Sequence, residues 1–525
     1  MKKSRSTGAL ILSTITALLL GHSAQAQCDT TYVTGDMDIT MSDFMSGVYY
    51  VDGDFTIASD VAIYVKPFTS GGCGKLEIHA ENITIEGEIN GDYAGYPGGT
   101  AGAGGMAVNS QTGHANALTG CSSKDDHGVV SVSGGDAGAT GNGSGAGLPG
   151  NSGSNGSGPK QRCENNGDVY GMIPGGGGAG GGGGASYGGH GTNGSSGGNG
   201  SSTHGSNGPS ASSAYPISAG VGGTGGQYGE IYGTESEEDI DMGSGGAGSG
   251  GGGRSFTSGS PGNRGGTGGG LVILSATESV EITGYIHVNG EDGLNGGHAG
   301  NGGETPRCCS DACDDCGEAT VSSGAGAGSG AGAGSGGGIL IQSETASVSG
   351  TLSAAGGNGG NGGNGGIGGS CSYGGNLFCD SESITTGNGQ NGGDGGSGGG
   401  GRIKIFTGYC STNQITPEIN IAGGVTASEG TYAYVCEAYA GLDHEETIRF
   451  SIYPNPVNDI LTVDLLNGEA GSSSVTITDT KGVTVVSQEN IPSSVTISMA
   501  GLSSGLYFVT IKRQNAYVTT KILKN

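Results

Sequence analysis

The chain has 525 residues, no tryptophan, only 13 prolines, and 19 basic residues against 47 acidic ones. The scarcity of proline excludes a collagen triple helix, which needs proline together with its glycine repeat. The formal net charge of −28 excludes nucleic acid and anionic lipid as partners, because both would be repelled. Apolar residues make up 32% of the chain, and no apolar run is long enough to span a bilayer as a helix.

The N-terminus has the three parts of a secretory signal. Lys2, Lys3 and Arg5 precede a short apolar run that is interrupted by Ser and Thr, and Ala24 and Ala26 form a small-residue cleavage site. This pattern predicts a removable signal peptide over residues 1–26 and passage through the periplasm.

All 12 cysteines lie between Cys28 and Cys436. An even number in an exported chain favours disulfides, each of which would stabilise a glycine-rich body by roughly 2–4 kcal/mol. We expect local pairs at Cys121–Cys163, Cys371–Cys379 and Cys410–Cys436, although sequence alone does not fix connectivity. The dense group is also assigned to disulfides, with zinc as the alternative; it consists of Cys308, Cys309, Cys313 and Cys316.

Four segments repeat one pattern, beginning near Gly74, Gly269, Gly337 and Gly400. Each has a short alternating strand, a polar corner and a second short strand that ends near Gly or Asn. Self-similar short strands of this kind predict an all-β body over residues 27–445 with a parallel β-helix-like solenoid. A β-sandwich built from hairpins is the alternative.

Glycine, with 123 residues, is concentrated in insertions at about 91–268, 290–336 and 356–399. Asn358, Asn361 and Asn364 are each followed by two glycines, a strict period of three. Period-three glycine without proline is typical of polyglycine II, in which extended strands with three residues per turn pack side by side. By composition and period, the insertions resemble glycine-rich bundles of phage-tail adhesins and of an insect antifreeze protein. Flexible loops are the alternative.

Candidate ligand-binding residues are tyrosines in Gly/Ser/Asn-rich loops, because a stiff amphipathic ring among small residues is typical of binding loops. They are Tyr93, Tyr96, Tyr187, Tyr228 and Tyr232. Each ring could instead fill a gap in the structure.

No residue is predicted to be catalytic, and no metal ligand or cofactor is assigned. Ser186 and Ser196 match a nucleophile-elbow pattern but lack the strand and helix that the elbow requires. The acidic run over 235–241 could hold Ca²⁺, but it has no known calcium-loop spacing, which favours a solvated loop.

At the C-terminus, apolar and polar residues alternate, as at Leu461, Val463 and Leu465, and turns such as Lys481-Gly482 separate the runs. This indicates a small antiparallel sandwich over residues 446–525.

Three motifs occur in order within this sandwich: Tyr453-Pro454-Asn455-Pro456, then Gly505 and Tyr507, then Lys521 followed by Ile and Leu. In these motifs the segment resembles the type A C-terminal sorting domain of the Bacteroidetes type IX secretion system. The resemblance implies an Ig-like fold, the secretion machinery as partner, and a secreted or outer-surface location.

These observations together predict a non-enzymatic, exported adhesin or structural protein. We expect it to bind polysaccharide or other cell surfaces through its Gly/Ser/Asn/Tyr loops. A secreted β-helix polysaccharide lyase or hydrolase is one alternative, and an ice-binding protein, supported by the period-three Asn segment, is another.

Overall fold

The computed structural model describes residues 28–68, 72–105, 129–159, 162–163, 168–173, 175–202, 218–303, 317–373, 382–410, 412–436, 450–465, 473–492, 494–513 and 516–525. All regular secondary structure in these ranges is β, and they contain no helix. The predicted signal peptide lies outside these ranges. So do six of the candidate disulfide cysteines: Cys121, Cys308, Cys309, Cys313, Cys316 and Cys379.

In the described residues up to 436, the body contains twenty-four strands. They are β1 (Thr30–Val33), β2 (Met37–Ile39), β3 (Asp43–Met45), β4 (Gly47–Val51), β5 (Phe55–Ile57), β6 (Ala62–Val65), β7 (Lys75–Ile85), β8 (Glu88–Asn90), β9 (Val129–Val132), β10 (Gly156–Pro159), β11 (Arg162–Cys163), β12 (Asp168–Ile173), β13 (Leu271–Ile282), β14 (Tyr285–His287), β15 (Gly317–Ser322), β16 (Gly338–Ser343), β17 (Thr345–Val348), β18 (Thr351–Ser353), β19 (Ser370–Tyr373), β20 (Glu382–Thr385), β21 (Arg402–Thr407), β22 (Gln414–Ile415), β23 (Glu418–Asn420) and β24 (Thr431–Cys436).

Two parallel sheets form the base of the body. The larger follows the order β1-β4-β7-β13-β16-β21-β24, with β2, β5, β17 and β22 beside this path, and the smaller follows β23-β18-β14-β8-β6-β3. Strands far apart in sequence are neighbours here, because the glycine-rich insertions leave the sheets and return between them.

The four repeated segments pair in register. Ile78 lies opposite Leu274, which lies opposite Ile341, which lies opposite Ile405. These side chains are fully buried and belong to one apolar cluster that both parallel sheets share. Each repeat needs few apolar residues because stacking supplies the rest of its core.

Within the described ranges, the glycine-rich insertions form twelve segments that run away from the parallel sheets and back. Three are central: 175–187, 243–255 and 322–336. Nine form a perimeter around them: 95–105, 132–142, 145–157, 189–202, 218–229, 257–269, 290–303, 356–369 and 386–400. We call the twelve segments the glycine bundle, and the end away from the parallel sheets its distal end.

Backbone hydrogen bonds join each segment to several neighbours at intervals of three residues. In the central segment 175–187, Gly178 donates to Gly198, Ala179 to Gly251 and Gly180 to Asn151, three different segments. In the next turn, Gly181 and Gly183 donate to the same two perimeter segments as Gly178 and Gly180, whereas Gly182 donates to Gly330 of another central segment. The N–H groups of successive residues therefore point toward different neighbouring segments. The buried peptide groups are hydrogen-bonded in this way without forming a sheet.

The central segments contain almost only Gly, Ala and Ser because the neighbouring backbones leave no room. A Cβ at Gly178 would lie 1.9 Å from the carbonyl oxygen of Ala327, and one at Gly332 would lie 1.9 Å from that of Gly183. Where a methyl does fit, as at Ala179, the side chain is fully buried. Buried serines bond to the backbone, as Ser329 does when its hydroxyl donates to the carbonyl of Ser196 at 2.7 Å.

The perimeter segments explain the asparagine repeat. In 356–369, every third residue is exposed, and the residue before it is a buried glycine. Side chains at the same spacing on 290–303 accept the backbone N–H groups of these exposed residues. The pairs are Asp292 with Asn358 (2.6 Å), Asn295 with Asn361 (3.3 Å), His298 with Asn364 (3.0 Å) and Asn301 with Ile367 (2.9 Å).

Short strands lie at the distal end of the bundle. β9 pairs with β10 and β19 with β20 in antiparallel fashion, and β11, β12 and β15 form a third small sheet. Cys163 lies on β11 and Cys371 on β19.

The part of the C-terminal unit that the structure describes has seven strands in two antiparallel sheets, β25-β26-β29 and β28-β27-β30-β31. They are β25 (Phe450–Tyr453), β26 (Ile460–Leu465), β27 (Ser473–Asp479), β28 (Thr484–Ile491), β29 (Ser494–Ser498), β30 (Gly505–Arg513) and β31 (Ala516–Lys524). The predicted alternation is present, since Leu461 and Val463 are fully buried in the unit's own apolar cluster.

Candidate functional site

The sequence motifs of the C-terminal unit meet in space. Asn455, between two prolines that both follow cis peptide bonds, lies beside the last strand. Its side-chain Nδ2 donates to the carbonyl of Lys521 at 3.2 Å, and its Oδ1 accepts the N–H of Leu523 at 3.0 Å. One amide side chain thus satisfies a donor and an acceptor on the edge of β31, as a paired strand would.

The backbone beyond Asn455 continues this contact. The N–H of Val457 donates to the carbonyl of Leu523 at 2.8 Å, and the N–H of Asn525 donates back to the carbonyl of Val457 at 3.0 Å. Val457 is fully buried. Tyr507 is nearly buried in the same cluster, and its hydroxyl donates to the carbonyl of Ser503 at 2.9 Å. The motif residues therefore fasten the terminal strand to the rest of the unit.

A family described as the secretion system C-terminal sorting domain matches residues 451–525. Residues 451–525 are a type IX secretion sorting domain. In Bacteroidetes the sorting domain marks a protein for export, so the chain is exported and is either secreted or attached to the outer cell surface. The sorting domain also implies contact with the type IX secretion machinery.

The other comparisons add little to the sorting domain. A comparison with curated proteins gave no match. One matching solved structure is PorZ, a surface component of the type IX secretion system of Porphyromonas gingivalis, at 24% identity. The match covers 16% of this chain and only 12% of that chain, with a TM-score of 0.14, so it carries no argument.

Two of the predicted ligand-binding tyrosines pack together where the glycine bundle meets the larger parallel sheet, Tyr187 buried and Tyr232 partly buried. Tyr187 is 1% exposed, and its ring stacks on that of Tyr232 at a centroid distance of 4.6 Å. The Tyr187 hydroxyl accepts the N–H of Asp241 at 2.7 Å, and the Tyr232 hydroxyl donates to the carbonyl of Met242 at 2.5 Å. Burial raises the pKa of both phenols. In this structure the two rings pack against each other, and Tyr187 is almost fully covered.

Residues 230–242, here called the junction loop, contain the acidic run and cover the outer face of β21. Arg402 on that strand is 2% exposed, and its guanidinium lies 5.5 Å from the centre of the Tyr187 ring. It donates to the carbonyls of Tyr232 (3.0 Å) and Gly233 (3.2 Å) and to the Thr431 hydroxyl (3.0 Å). Nothing in the local sequence of β21 indicates which segment covers its basic side chains.

Lys404 holds the other half of the junction loop. Its ammonium is fully buried and donates to the carbonyl of Glu237 at 2.6 Å, to the carbonyl of Asp239, and to the Asp239 carboxylate at 3.1 Å. Burial lowers the pKa of Lys404 despite these contacts. Hydrogen bonds from Thr234, and then from Lys404, lower the pKa of Asp239 to about 2. Lys404 therefore holds the backbone of the acidic run and the Asp239 carboxylate, while residues 235–239 are exposed to solvent, as predicted for a solvated loop.

Other predicted tyrosines reach the surface. Tyr93 is 49% exposed beside the acidic residues Asp92 and Asp292, and burial of its remaining surface together with those charges raises its pKa. Tyr228 is 39% exposed, and its ring meets His190 edge-on at 5.2 Å. Tyr96 is half-buried and packs edge-on against Phe68. The structure does not gather the five tyrosines into one site.

Two disulfides are present in the described residues. Cys410–Cys436 is the local pair expected from the sequence, and Cys28–Cys73 was not expected. The expected pairs Cys121–Cys163 and Cys371–Cys379 each include a residue outside the described ranges, and so stay predictions.

Within the described ranges, no three His, Cys, Asp or Glu side chains are grouped as a metal site would require. No helix in those ranges is long and apolar enough to span a membrane. Ser186 is buried, and its hydroxyl accepts the N–H of Gly191 at 2.9 Å, so its role here is to hold a turn.

A stack of rings on the outer face of the larger sheet was missed. Tyr32, Tyr50 and His79 occupy matching positions on β1, β4 and β7, and their rings are 5.3 and 4.6 Å apart with interplanar angles of 14°. Glu77 pairs with His79 and Lys75, each at 2.7 Å. Burial would raise the pKa of Glu77, but these two partners lower it to about 2. The available signal in the sequence was an aromatic residue on each of three strands, β1, β4 and β7.

Proposed function

We propose that this protein is an exported, non-enzymatic adhesin or surface structural protein, which binds polysaccharide or another cell surface through the perimeter of the glycine bundle. In this proposal the parallel sheets form a β-solenoid, the bundle is polyglycine II, and the sorting domain is an Ig-like sandwich. The solenoid serves as the base, the bundle as the binding element and the sorting domain as the address.

The packing of the bundle supports a rigid binding element. Three central segments are enclosed by nine others, and hydrogen bonds link each segment to several neighbours. Bending one segment would break bonds in several directions at once. A preformed surface of this kind loses little conformational entropy when it binds.

The observation that carries the proposal is the regular exposure of polar side chains on the perimeter. One residue in three faces solvent, about 9 Å from the next along a strand with a rise near 3.1 Å. Most of these residues have amide or hydroxyl groups, which hydrogen-bond to sugar hydroxyls. They include Thr100, Asn151, Ser154, Asn193, Ser196, Asn199, Ser218, Thr224, Gln227, Ser260, Asn263, Asn361, Asn364, Asn388 and Asn391.

Exposed rings lie among these polar groups. Tyr228 lies on the bundle, Tyr93 two residues before its first segment and Phe256 at the turn between two segments, and each is more than a third exposed. A flat ring beside hydrogen-bonding groups supplies apolar contact for the faces of a sugar ring. The net charge of −28 favours neutral or cationic polymers over anionic ones.

The test is a pull-down of the mature chain with insoluble neutral polysaccharides and with whole cells. Tyr93→Ala and Tyr228→Ala should each weaken binding several-fold, because an exposed ring is removed and the fold is left intact. Tyr64→Ala is the matched control, since Tyr64 is 39% exposed like Tyr228 but lies on β6, away from the bundle. Retention by no polysaccharide and no cell would refute the proposal.

The same preparations decide between the two alternatives. Release of reducing or unsaturated sugar ends would favour a lyase or hydrolase. Inhibition of ice recrystallisation would favour ice binding. In the asparagine repeat, Asn361 and Asn364 are exposed, whereas the Asn358 side chain accepts the N–H of Val425 at 3.0 Å.

A further inference from the structure

The first three strands of the body, β1, β2 and β3, lie at one edge of the described parallel sheets. Among the described residues, β1 is the last strand of the larger sheet, β3 is the last strand of the smaller one, and β2 pairs only with β5. Their inward side chains Val33, Met37 and Ile39 pack against the apolar cluster but are only partly buried. A terminal strand with this character is a template for pairing with another chain.

The direction of the hydrogen bonds identifies the groups that face outward. The carbonyls of Asp29 and Val33 accept bonds from Val48 (2.9 Å) and Asp52 (3.0 Å), and so face β4. In a parallel strand the main-chain groups alternate between the two sides. Those of Thr30 therefore point away from the sheet, toward the open edge.

The charge around this edge is of one sign. Residues 28–65 contain seven aspartates and no lysine or arginine. All seven are exposed, and they surround large exposed apolar side chains: Tyr32 (61%), Met41 (79%) and Phe44 (59%). A second copy of this end would bring two such acidic rims together, which disfavours self-association here.

We propose that the open edge at β1 binds a cationic polypeptide segment in extended conformation, which adds a strand to the larger sheet. Its apolar side chains would cover Val33 and the open end of the core. Its basic side chains, on the other face, would meet the aspartates, and an arginine opposite Tyr32 would extend the stack of Tyr32, Tyr50 and His79. Arginine suits that position because it stacks on aromatic rings and carries positive charge.

The probe is a labelled eight-residue peptide of alternating arginine and valine, tested against the mature chain by fluorescence anisotropy. Three control peptides are an alternating glutamate and valine peptide, the same arginine and valine residues in two blocks, and the alternating peptide with every second amide N-methylated. We expect the unmodified alternating peptide to bind at least about tenfold tighter than each control. Raising NaCl from 50 to 300 mM should weaken it several-fold, through screening.

Two protein variants locate the site. Thr30→Pro removes an outward N–H without breaking a bond to β4, and should weaken binding about tenfold, whereas Thr30→Ala should stay within about twofold of the natural chain. Amide exchange of β4 shows whether the proline variant keeps its fold. The N-methylated peptide tests the same backbone pairing without any protein variant.

Three results would overturn the proposal. Equal binding by the N-methylated peptide would show charge attraction without strand addition. Unchanged binding by a folded Thr30→Pro variant would place the peptide elsewhere on this acidic protein. Sedimentation that shows a dimer, dissociated by Thr30→Pro, would make a second copy the occupant.

Discussion

Gly178→Ala is the sharpest test of the central packing in the glycine bundle. The added Cβ would lie 1.9 Å from the carbonyl oxygen and 2.2 Å from the carbonyl carbon of Ala327. Both are backbone atoms, so no side-chain rotation relieves the contact. Separations under 3.0 Å do not occur for real Cβ atoms, so the two segments must move apart by about 1 Å (3.0 − 1.9 Å).

The expected loss can be worked from these contacts. Overpacking a close-packed interior costs about 2 kcal/mol. The same shift stretches the bonds from Gly178 to Gly198 and from Gly223 to Gly178, at about 1 kcal/mol each. Alanine restricts the unfolded chain and returns about 0.7 kcal/mol. We therefore expect a net loss of about 3 kcal/mol in local stability.

Amide hydrogen exchange of the native protein is the suitable assay, because a chain with several units need not unfold in one step. Peptides covering 175–202 should exchange about a hundredfold faster in the variant, the equivalent of about 3 kcal/mol. Asn361→Ala is the control, since that exposed side chain lies on the perimeter, and it should change stability by less than about 0.5 kcal/mol. Equal exchange in the two variants would refute the close packing of the central segments.

Three further predictions concern the junction loop and the sorting domain. Lys404→Met should free the junction loop and raise its cleavage rate by a glutamate-specific protease, because three oxygens lose their ammonium donor; an unchanged rate would show that the lysine does not hold it. The lowered pKa of Asp239 means that its contribution to stability is present above the unfolded value and is lost as the pH falls from about 4 to about 2. Asp239→Asn should therefore make the cleavage rate of the junction loop depend less on pH in that window. An unchanged dependence of the rate on pH would assign the acid response to other groups. Asn455→Ala should remove both bonds to β31, weaken the sorting domain by about 1–2 kcal/mol and reduce the secreted fraction, whereas Asn458→Ala, as control, leaves both bonds in place; equal secretion by the two variants would contradict that role.

Local patterns in the sequence predicted much of this architecture. Alternation at Leu76 and Ile78 indicated a strand of the parallel body, and the paired sheets carry both side chains inward. The period of three at Asn358 in the sequence is matched by the exposure of every third residue in 356–369. Each of these signals lies within a few residues, so a single strand specifies it.

The remaining features depend on residues that are distant in sequence. The composition of the central segments is still a local signal, since 175–187, 243–255 and 322–336 are almost free of side chains larger than serine. Their enclosure by the other nine segments depends on chain topology, which no single segment encodes. Cys28 and Cys73 are 45 residues apart in sequence, and the pairing of β1 with β4 and of β4 with β7 brings them together. Tyr187 was predicted to be a binding-loop residue from its Gly/Ser-rich surroundings. The junction loop that covers it begins more than forty residues later in the sequence.

Because every third residue along a bundle segment faces the same way, a change in the number of residues alters which side chains face inward. Inserting or deleting one residue in a segment such as 243–255 would rotate everything beyond that point by about a third of a turn. Glycines that faced a neighbouring backbone would then face outward, and bulky residues would face inward. Changes of three residues preserve the phase, so lengthening or shortening of these segments should be tolerated almost only in multiples of three.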